Sequence, residues 1–164
     1  MTDLALLFTE HGDFDLIIEN RDLLGDEGLQ TAVTVSLFTD RVARPDDPLP
    51  EYLPGHYSDR RGWWGDLCRE NGRSRPIGSR LWLLFREKEL PEVVARAREY
   101  AAESLSWLPL LGGGFTAEAF DDRPGRLRLE IEASLPGPTE RTGRWTAFLD
   151  YGEIRRVELL GARL

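Results

Sequence analysis

Arg126-Leu127-Arg128-Leu129-Glu130-Ile131-Glu132-Ala133 decides the fold. Apolar residues take every second position and charges fall between them, the two-residue period of a strand with one face on a core and the other in water. Just upstream, Asp122-Arg123-Pro124-Gly125 has the composition of a turn, and Phe115–Phe120 supplies a strand for it to fold back on. Downstream, Leu135–Arg144 reads as a longer polar loop and Trp145–Tyr151 as a third strand. Tyr151–Leu164 is a tail of uncertain shape, whose apolar residues keep no clear period.

Toward the amino terminus, Gly112-Gly113-Gly114 stops a helix that Pro91 opens, with Glu92 in its first turn and Val94, Ala97, Ala101, Leu105 and Leu108 at helical spacing. Leu81–Phe85 is apolar throughout, and periodicity leaves a short buried helix and a strand equally open. Gln30–Ala43 is ambiguous as well. Val33, Val35 and Leu37 alternate, while Leu29, Val33 and Leu37 recur every fourth residue; the acidic start and the Arg41/Arg44 finish suit a helix dipole and favour helix. Asp26 is placed to cap it, with Glu27 in the first turn. Leu4–Glu19 reads as a β-hairpin, with Leu4, Leu6 and Phe8 going out, Phe14, Leu16 and Ile18 returning, and Glu10-His11-Gly12-Asp13 at the turn. The expected architecture is α+β in one domain over residues 1–164: an N-terminal β-hairpin, two main helices, C-terminal antiparallel strands and a long central loop rich in Pro, Arg and Trp.

The chain has 164 residues, 41% apolar and 30% charged, within the range of soluble globular proteins. No apolar run approaches the roughly 20 residues of a membrane span. The start Met1–His11 lacks the basic opening and cleavage signature of a secretory signal, so the protein is expected to stay in the cytoplasm of the cell that makes it. The lone Cys68 cannot form an internal disulfide, and with two histidines it falls short of a metal-ligand set; no metal or cofactor is expected.

The functional interest lies in the middle. Pro45, Pro48, Pro50 and Pro54 make a stiff, extended arm through Gly55. Asp59–Glu89 then gathers Trp63, Trp64 and Trp82 with an excess of Lys and Arg, inside a chain of net charge −8. Gly62 and Gly65 let the backbone turn around the two adjacent tryptophans, which face opposite ways in extended chain, so one of them meets solvent or a partner. Arg60, Arg61, Trp63, Trp64, Arg80 and Trp82 are therefore the candidate partner-binding residues. Two readings stay open for this stretch: an anchor for a neighbouring protein, or a self-contained plug with Trp82 filling the core.

Catalytic chemistry finds little purchase. There is no G-x-S-x-G, and Cys68 with His56 rests only on both being present. Asp59/Asp66 or Glu51/Asp66 could be imagined as a glycosidase pair, but among 29 Asp and Glu such pairings arise by chance. No catalytic residue is assigned, and no enzyme is expected. Arg60, Arg61, Arg69, Arg73, Arg75 and Arg80 beside the tryptophans could meet a nucleic acid, yet a sequence pI of 4.9 opposes a polyanion. Arg and Trp clustered in an acidic chain more often anchor a protein interface.

Four blocks carry a family resemblance: L-Q-T-A-V-x-x-S-L-F-T-D-R (Leu29–Arg41), D-R-R-G-W-W-G-D (Asp59–Asp66), G-S-R-L-W-L-L-x-R-E-K (Gly78–Lys88) and A-x-x-S-L-x-W-L (Ala101–Leu108). In order and spacing they resemble the Mu-like phage tail protein family labelled phage protein gene-product 46, over roughly Leu4–Tyr151. That family is similar to the gene-product 25-like baseplate wedge proteins of contractile tails, once suspected of lysozyme activity. The resemblance implies a structural subunit of the tail baseplate that joins wedge proteins around the hub and helps to start sheath assembly. Its implied partners are other wedge proteins and sheath or hub proteins, in multiple copies in a symmetric assembly, without nucleic acid or membrane. Its implied location is the host cytoplasm during assembly and then the virion tail. A peptidoglycan hydrolase of the tail is the alternative activity, and no carboxylate pair here stands on a matching motif. Exposed strand edges could also be completed by a partner's strand, so one sheet edge is expected to be extended in the assembly.

Overall fold

The computed structural model describes residues 3–9, 14–26, 28–49, 60–68, 76–84, 91–137, 141–150 and 153–159. The architecture is α+β, as the alternation and helical spacing lead one to expect.

The N-terminal segment is more divided than a single hairpin. Six short strands, β1 (Asp3–Leu4), β2 (Leu6–Phe8), β3 (Phe14–Leu16), β4 (Ile18–Glu19), β5 (Asp22–Leu23) and β6 (Gly25–Asp26), form three two-stranded antiparallel ladders, β1–β6, β2–β3 and β4–β5. They meet where Ala5 N–H donates to Leu24 O, Ile17 N–H to Ala5 O and Leu24 N–H to Ile17 O. The return strand therefore breaks at Ile17, and the chain beyond Glu19 pairs as well, Leu23 with Ile18 and Gly25 with Leu4. The turn placed at Glu10–Asp13 lies outside the described residues, as does Glu27.

Helix α1 (Gln30–Phe38) is shorter than the Gln30–Ala43 expected, and neither its first turn nor its last carries a charge. Asp26 caps it, as expected: one carboxylate oxygen accepts the Gly28 N–H at 2.8 Å and the other the Thr31 N–H at 2.7 Å. The helix stops because Thr39–Arg41 turns extended and pairs with Ser79, through Ser79 N–H to Thr39 O and Arg41 N–H to Ser79 O, both 2.9 Å.

Leu81–Leu84, which periodicity left open, is a single-turn 3-10 helix with all four side chains buried. Helix α2 (Pro91–Ser104) buries Val93, Ala97, Tyr100, Ala101 and Ser104, a face one position off the expected stripe at its start, where Val94 is only partly covered. Leu105 and Leu108 are buried just beyond its end. A 3-10 turn at Pro109–Leu111 and the left-handed Gly112 then lead to the sheet.

The sheet is a four-stranded antiparallel meander of β7 (Gly114–Arg123), β8 (Arg126–Leu135), β9 (Arg141–Asp150) and β10 (Glu153–Leu159). The loop expected at Leu135–Arg144 is shorter at both ends, since Leu135 closes β8 and Arg141 opens β9, and the tail of uncertain shape contributes the edge strand β10, with Ile154 opposite Leu149 and Leu159 opposite Trp145. In β8, Leu127, Leu129, Ile131, Ala133 and Leu135 are buried, and α2 lies across β7 and β8 on this face. Cross-strand size alternates: Ile131 sits between Ala117 and Trp145, and Leu129 between Ala119 and Ala147. The ring of Trp145 covers Gly143, where an added Cβ would lie 2.3 Å from a ring carbon. Gly143→Ala should therefore push the indole out of its site and cost about 1–3 kcal/mol, measurable as an earlier denaturant midpoint with unchanged slope.

Candidate interaction site

As far as they are described, the four sequence blocks meet at a single place in space. The extended stretch 39–45 that leaves α1 is gripped on one side by 60–66 and on another by 76–84, with the end of α2 behind it.

Gly78 makes the first grip possible. Its φ is +89°, and a Cβ there would lie 2.1 Å from Thr39 O, so only glycine lets the two backbones meet. Ser79 Oγ then donates to Leu37 O at 2.5 Å and accepts the Leu81 N–H. Trp82 is 1% exposed and donates its indole N–H to Arg41 O at 2.8 Å. The second grip comes from Arg60, whose guanidinium donates to the carbonyls of Arg44 (2.7 Å) and Pro45 (2.8 Å), while its own carbonyl accepts the Ala43 N–H. Arg61 pairs with Asp40, and its guanidinium lies over the Trp82 ring at 4.9 Å. The Asp66 carboxylate accepts the Ile77 N–H at 3.2 Å and joins the two gripping segments.

Behind them Arg80, with a side chain only 3% exposed, forms the centre of an ion cluster. Its Nη1 donates to both oxygens of Asp47 at 2.8 and 3.1 Å, and its Nε to Glu103 Oε2 at 2.9 Å. Nη2 is also 2.9 Å from that oxygen, but at too bent an angle for a hydrogen bond. The guanidinium stacks on Tyr100 at 4.2 Å. Glu103 takes a second hydrogen bond from Arg44 at 2.8 Å, and Asp47 accepts the Arg44 N–H at 2.7 Å. The proline arm, as far as it is described, is thus tied to α2 by charge.

Burial works against the charged forms here and is outweighed. For Arg80 the hydrogen bonds it donates to Asp47 and Glu103 hold the guanidinium's pKa above its usual value. Burial would raise the Glu103 carboxyl, but Arg44 and Arg80 pull it below its usual 4.5. A carboxylate with a depressed folded pKa contributes stability above its unfolded pKa and loses it as pH falls through the folded one. Stability should therefore fall as pH drops below about 4.5, and Glu103→Gln should flatten that part of the pH–stability curve.

The six expected partner-binding residues are divided by this geometry. Arg80 and Trp82 are buried within the chain, a correction to the expectation that they face a partner: an arginine among two carboxylates and a ring, and a tryptophan under Arg61, are occupied by their own fold. Arg60 and Arg61 are half-buried braces. Trp64 is 72% exposed beside the half-buried Trp63, their rings 5.4 Å apart, and the Trp63 ring covers Gly65 as Trp145 covers Gly143. Sequence reasoning missed Glu103, Asp47, Arg44 and Tyr100. Glu103 was within reach, as an acid next to the buried face of the clearest helix. Of the remaining candidates, Arg69, Arg73, Arg75, Glu51, His56 and Asp59 lie outside the described residues, and so does the Cys68 side chain.

A groove of about 640 Å³ runs beside the cluster, lined by Thr31, Val35, Arg41, Ile77, Glu103 and Trp107 among others. Among the described residues no group of three or more His, Cys, Asp or Glu could hold a metal ion, and no helix is long and apolar enough to cross a membrane. What the arrangement does chemically is hold an exposed aromatic surface on a rigid, charge-locked base.

A family model described as phage protein GP46 matches residues 29–140, which include all four blocks. The chain belongs to this family. It is 47% identical over 138 residues, 83% of this chain and 89% of the other, to the baseplate protein gp46 of Escherichia phage Mu. It is 35% identical over 144 residues, 86% of this chain and 93% of the other, to the Mu-like prophage FluMu protein gp46 of Haemophilus influenzae. No solved structure matches the chain. In this GP46-family chain the model's span opens at Leu29, just before α1, so the three N-terminal ladders stand outside it.

Proposed function

We propose that this chain is a structural subunit of a contractile phage tail baseplate, joining wedge proteins around the hub and helping to start sheath assembly. The observation that carries the reading is its 47% identity to a protein named as a baseplate component, over 89% of that protein. The site supports it: the charge cluster and the Gly78 grip are internal bracing, and what they present outward is Trp64 with Trp63, Arg60 and Arg61 around it. An exposed tryptophan on a rigid base is the usual centre of a protein contact. The sheet adds a second surface, since β7 and β10 are edge strands that a wedge or sheath segment can extend.

The test is capture of the purified products of neighbouring tail genes, run beside a peptidoglycan-clearing assay on the same preparation. Capture of a wedge or sheath protein without clearing is the expected result. Clearing that disappears when one carboxylate is removed would replace the structural reading with a hydrolase. Trp64→Ala should leave the melting temperature unchanged, because the side chain is mostly in water, while weakening capture tenfold or more.

A further inference from the structure

The N-terminal ladders leave more apolar surface uncovered than any other part of the described chain. Five of the ten exposed large apolar side chains lie there, Leu4, Leu7, Leu16, Ile18 and Leu23. The concentration is greatest at the tip formed by β4 and β5, where residues 18–23 are all exposed. Ile18, 71% exposed, stands directly opposite Leu23, 43% exposed, so the two side chains share one face of the tip. The next pair is Glu19 opposite Asp22, two like charges facing each other across the ladder.

Both features are unfavourable for the chain alone. Like charges directly opposite in a ladder destabilise it, and a two-stranded ladder has no core of its own. The tip is nevertheless well formed, because Asn20 (φ 51°) and Arg21 (φ 68°) adopt the paired left-handed conformation of a tight two-residue hairpin turn. Behind it the ladders are anchored rather than loose. Phe14 stacks on Phe38 of α1 at 5.6 Å, Gln30 donates to Leu6 O at 2.6 Å and Thr31 to Leu4 O at 2.7 Å. An anchored element whose tip presents an apolar pair on one face and an acidic pair on the other has the form of half an interface.

We infer that the tip Ile18–Leu23 docks into an apolar pocket rimmed by Lys or Arg on another subunit of the baseplate, an inference that rests on the structural role proposed above. The charge selects the partner. Glu19, Asp22 and the nearby Asp15 outnumber Arg21 at the turn, so the tip repels nucleic acid and anionic membranes, and a cationic rim would turn the Glu19/Asp22 repulsion into two attractions. A second copy of this chain is disfavoured as occupant, since two chains of net −8 repel.

The experiment uses the full chain against the purified products of its neighbouring tail genes, with affinity read at low and high salt. Ile18→Ser and the double variant Glu19→Lys/Asp22→Lys are compared with the unsubstituted chain, and melting temperatures confirm that each folds. The expected result is a loss of at least tenfold in affinity for a neighbour in each variant, with the salt dependence reduced or reversed in the charge variant. Affinity for every neighbour unchanged in both variants would overturn the inference and leave the baseplate role standing. So would self-association of the unsubstituted chain that the charge variant abolishes, because it would make the occupant a second copy. If the unsubstituted chain captures no neighbour, the baseplate reading fails, and the docking partner with it.

Discussion

Arg80→Ala is expected to lower stability by about 3–5 kcal/mol. The substitution removes a guanidinium that is 3% exposed and leaves Asp47 and Glu103 facing each other, with Arg44 and Arg41 still paired to Glu103. It also uncovers the Tyr100 ring that the guanidinium stacks on. For a chain of this length the loss corresponds to a melting temperature lower by roughly 6–20 °C, read by circular dichroism. Arg80→Lys should fall between the two, because an ammonium keeps the charge but cannot span both carboxylates as the planar fork does. Equal losses for Lys and Ala would mean that the fork geometry, rather than the charge, is what the cluster needs. No loss in either would show that Asp47 and Glu103 are satisfied without Arg80, and the description of the cluster as a lock would be wrong.

Trp82→Ala should cost a similar amount, about 3–5 kcal/mol, by a different route. A large ring 1% exposed leaves a cavity between the 3-10 turn and α2, and Arg41 O loses its indole donor. The Arg61 guanidinium also loses the ring beneath it, so the damage should spread outward toward Trp63 and Trp64. Trp82→Phe separates the contributions: it fills most of the volume but cannot donate, and should cost about 1–3 kcal/mol. Hydrogen exchange offers a local readout. The Arg41 and Ser79 amides, which bridge the two backbones, should exchange faster in Trp82→Ala than the amides of β8, whose partners β7 and β9 are untouched. Uniform acceleration across the chain would indicate global destabilisation without a local hinge.

Much of the fold was legible because its elements are periodic or punctuated. Arg126–Ala133 alternates strictly and is a strand; Pro91 opens a helix and is its first residue. The misses have physical causes. Gln30–Ala43 stops at Phe38 because Ser79, forty residues away in sequence, captures the backbone of Thr39 and Arg41. No local propensity encodes that capture. The tail strand β10 has no clear period of its own and takes its place from the register of β9. In the candidate site, Arg and Trp were visible as residue types, but whether each faced inward or outward was not. Arg80 and Arg60 look alike in sequence, and only the arrival of Asp47 and Glu103 from two other segments separates them.

By itself the sequence determined the class, the strands of the sheet's centre, the longer helix and the family, since all of these depend on short-range pattern and residue order. Tertiary structure alone decided which of the arginines and tryptophans brace the chain and which remain exposed. A side chain's role as brace or contact depends on what long-range folding sets against it, and a carboxylate from a distant helix leaves no mark beside the arginine it will pair with.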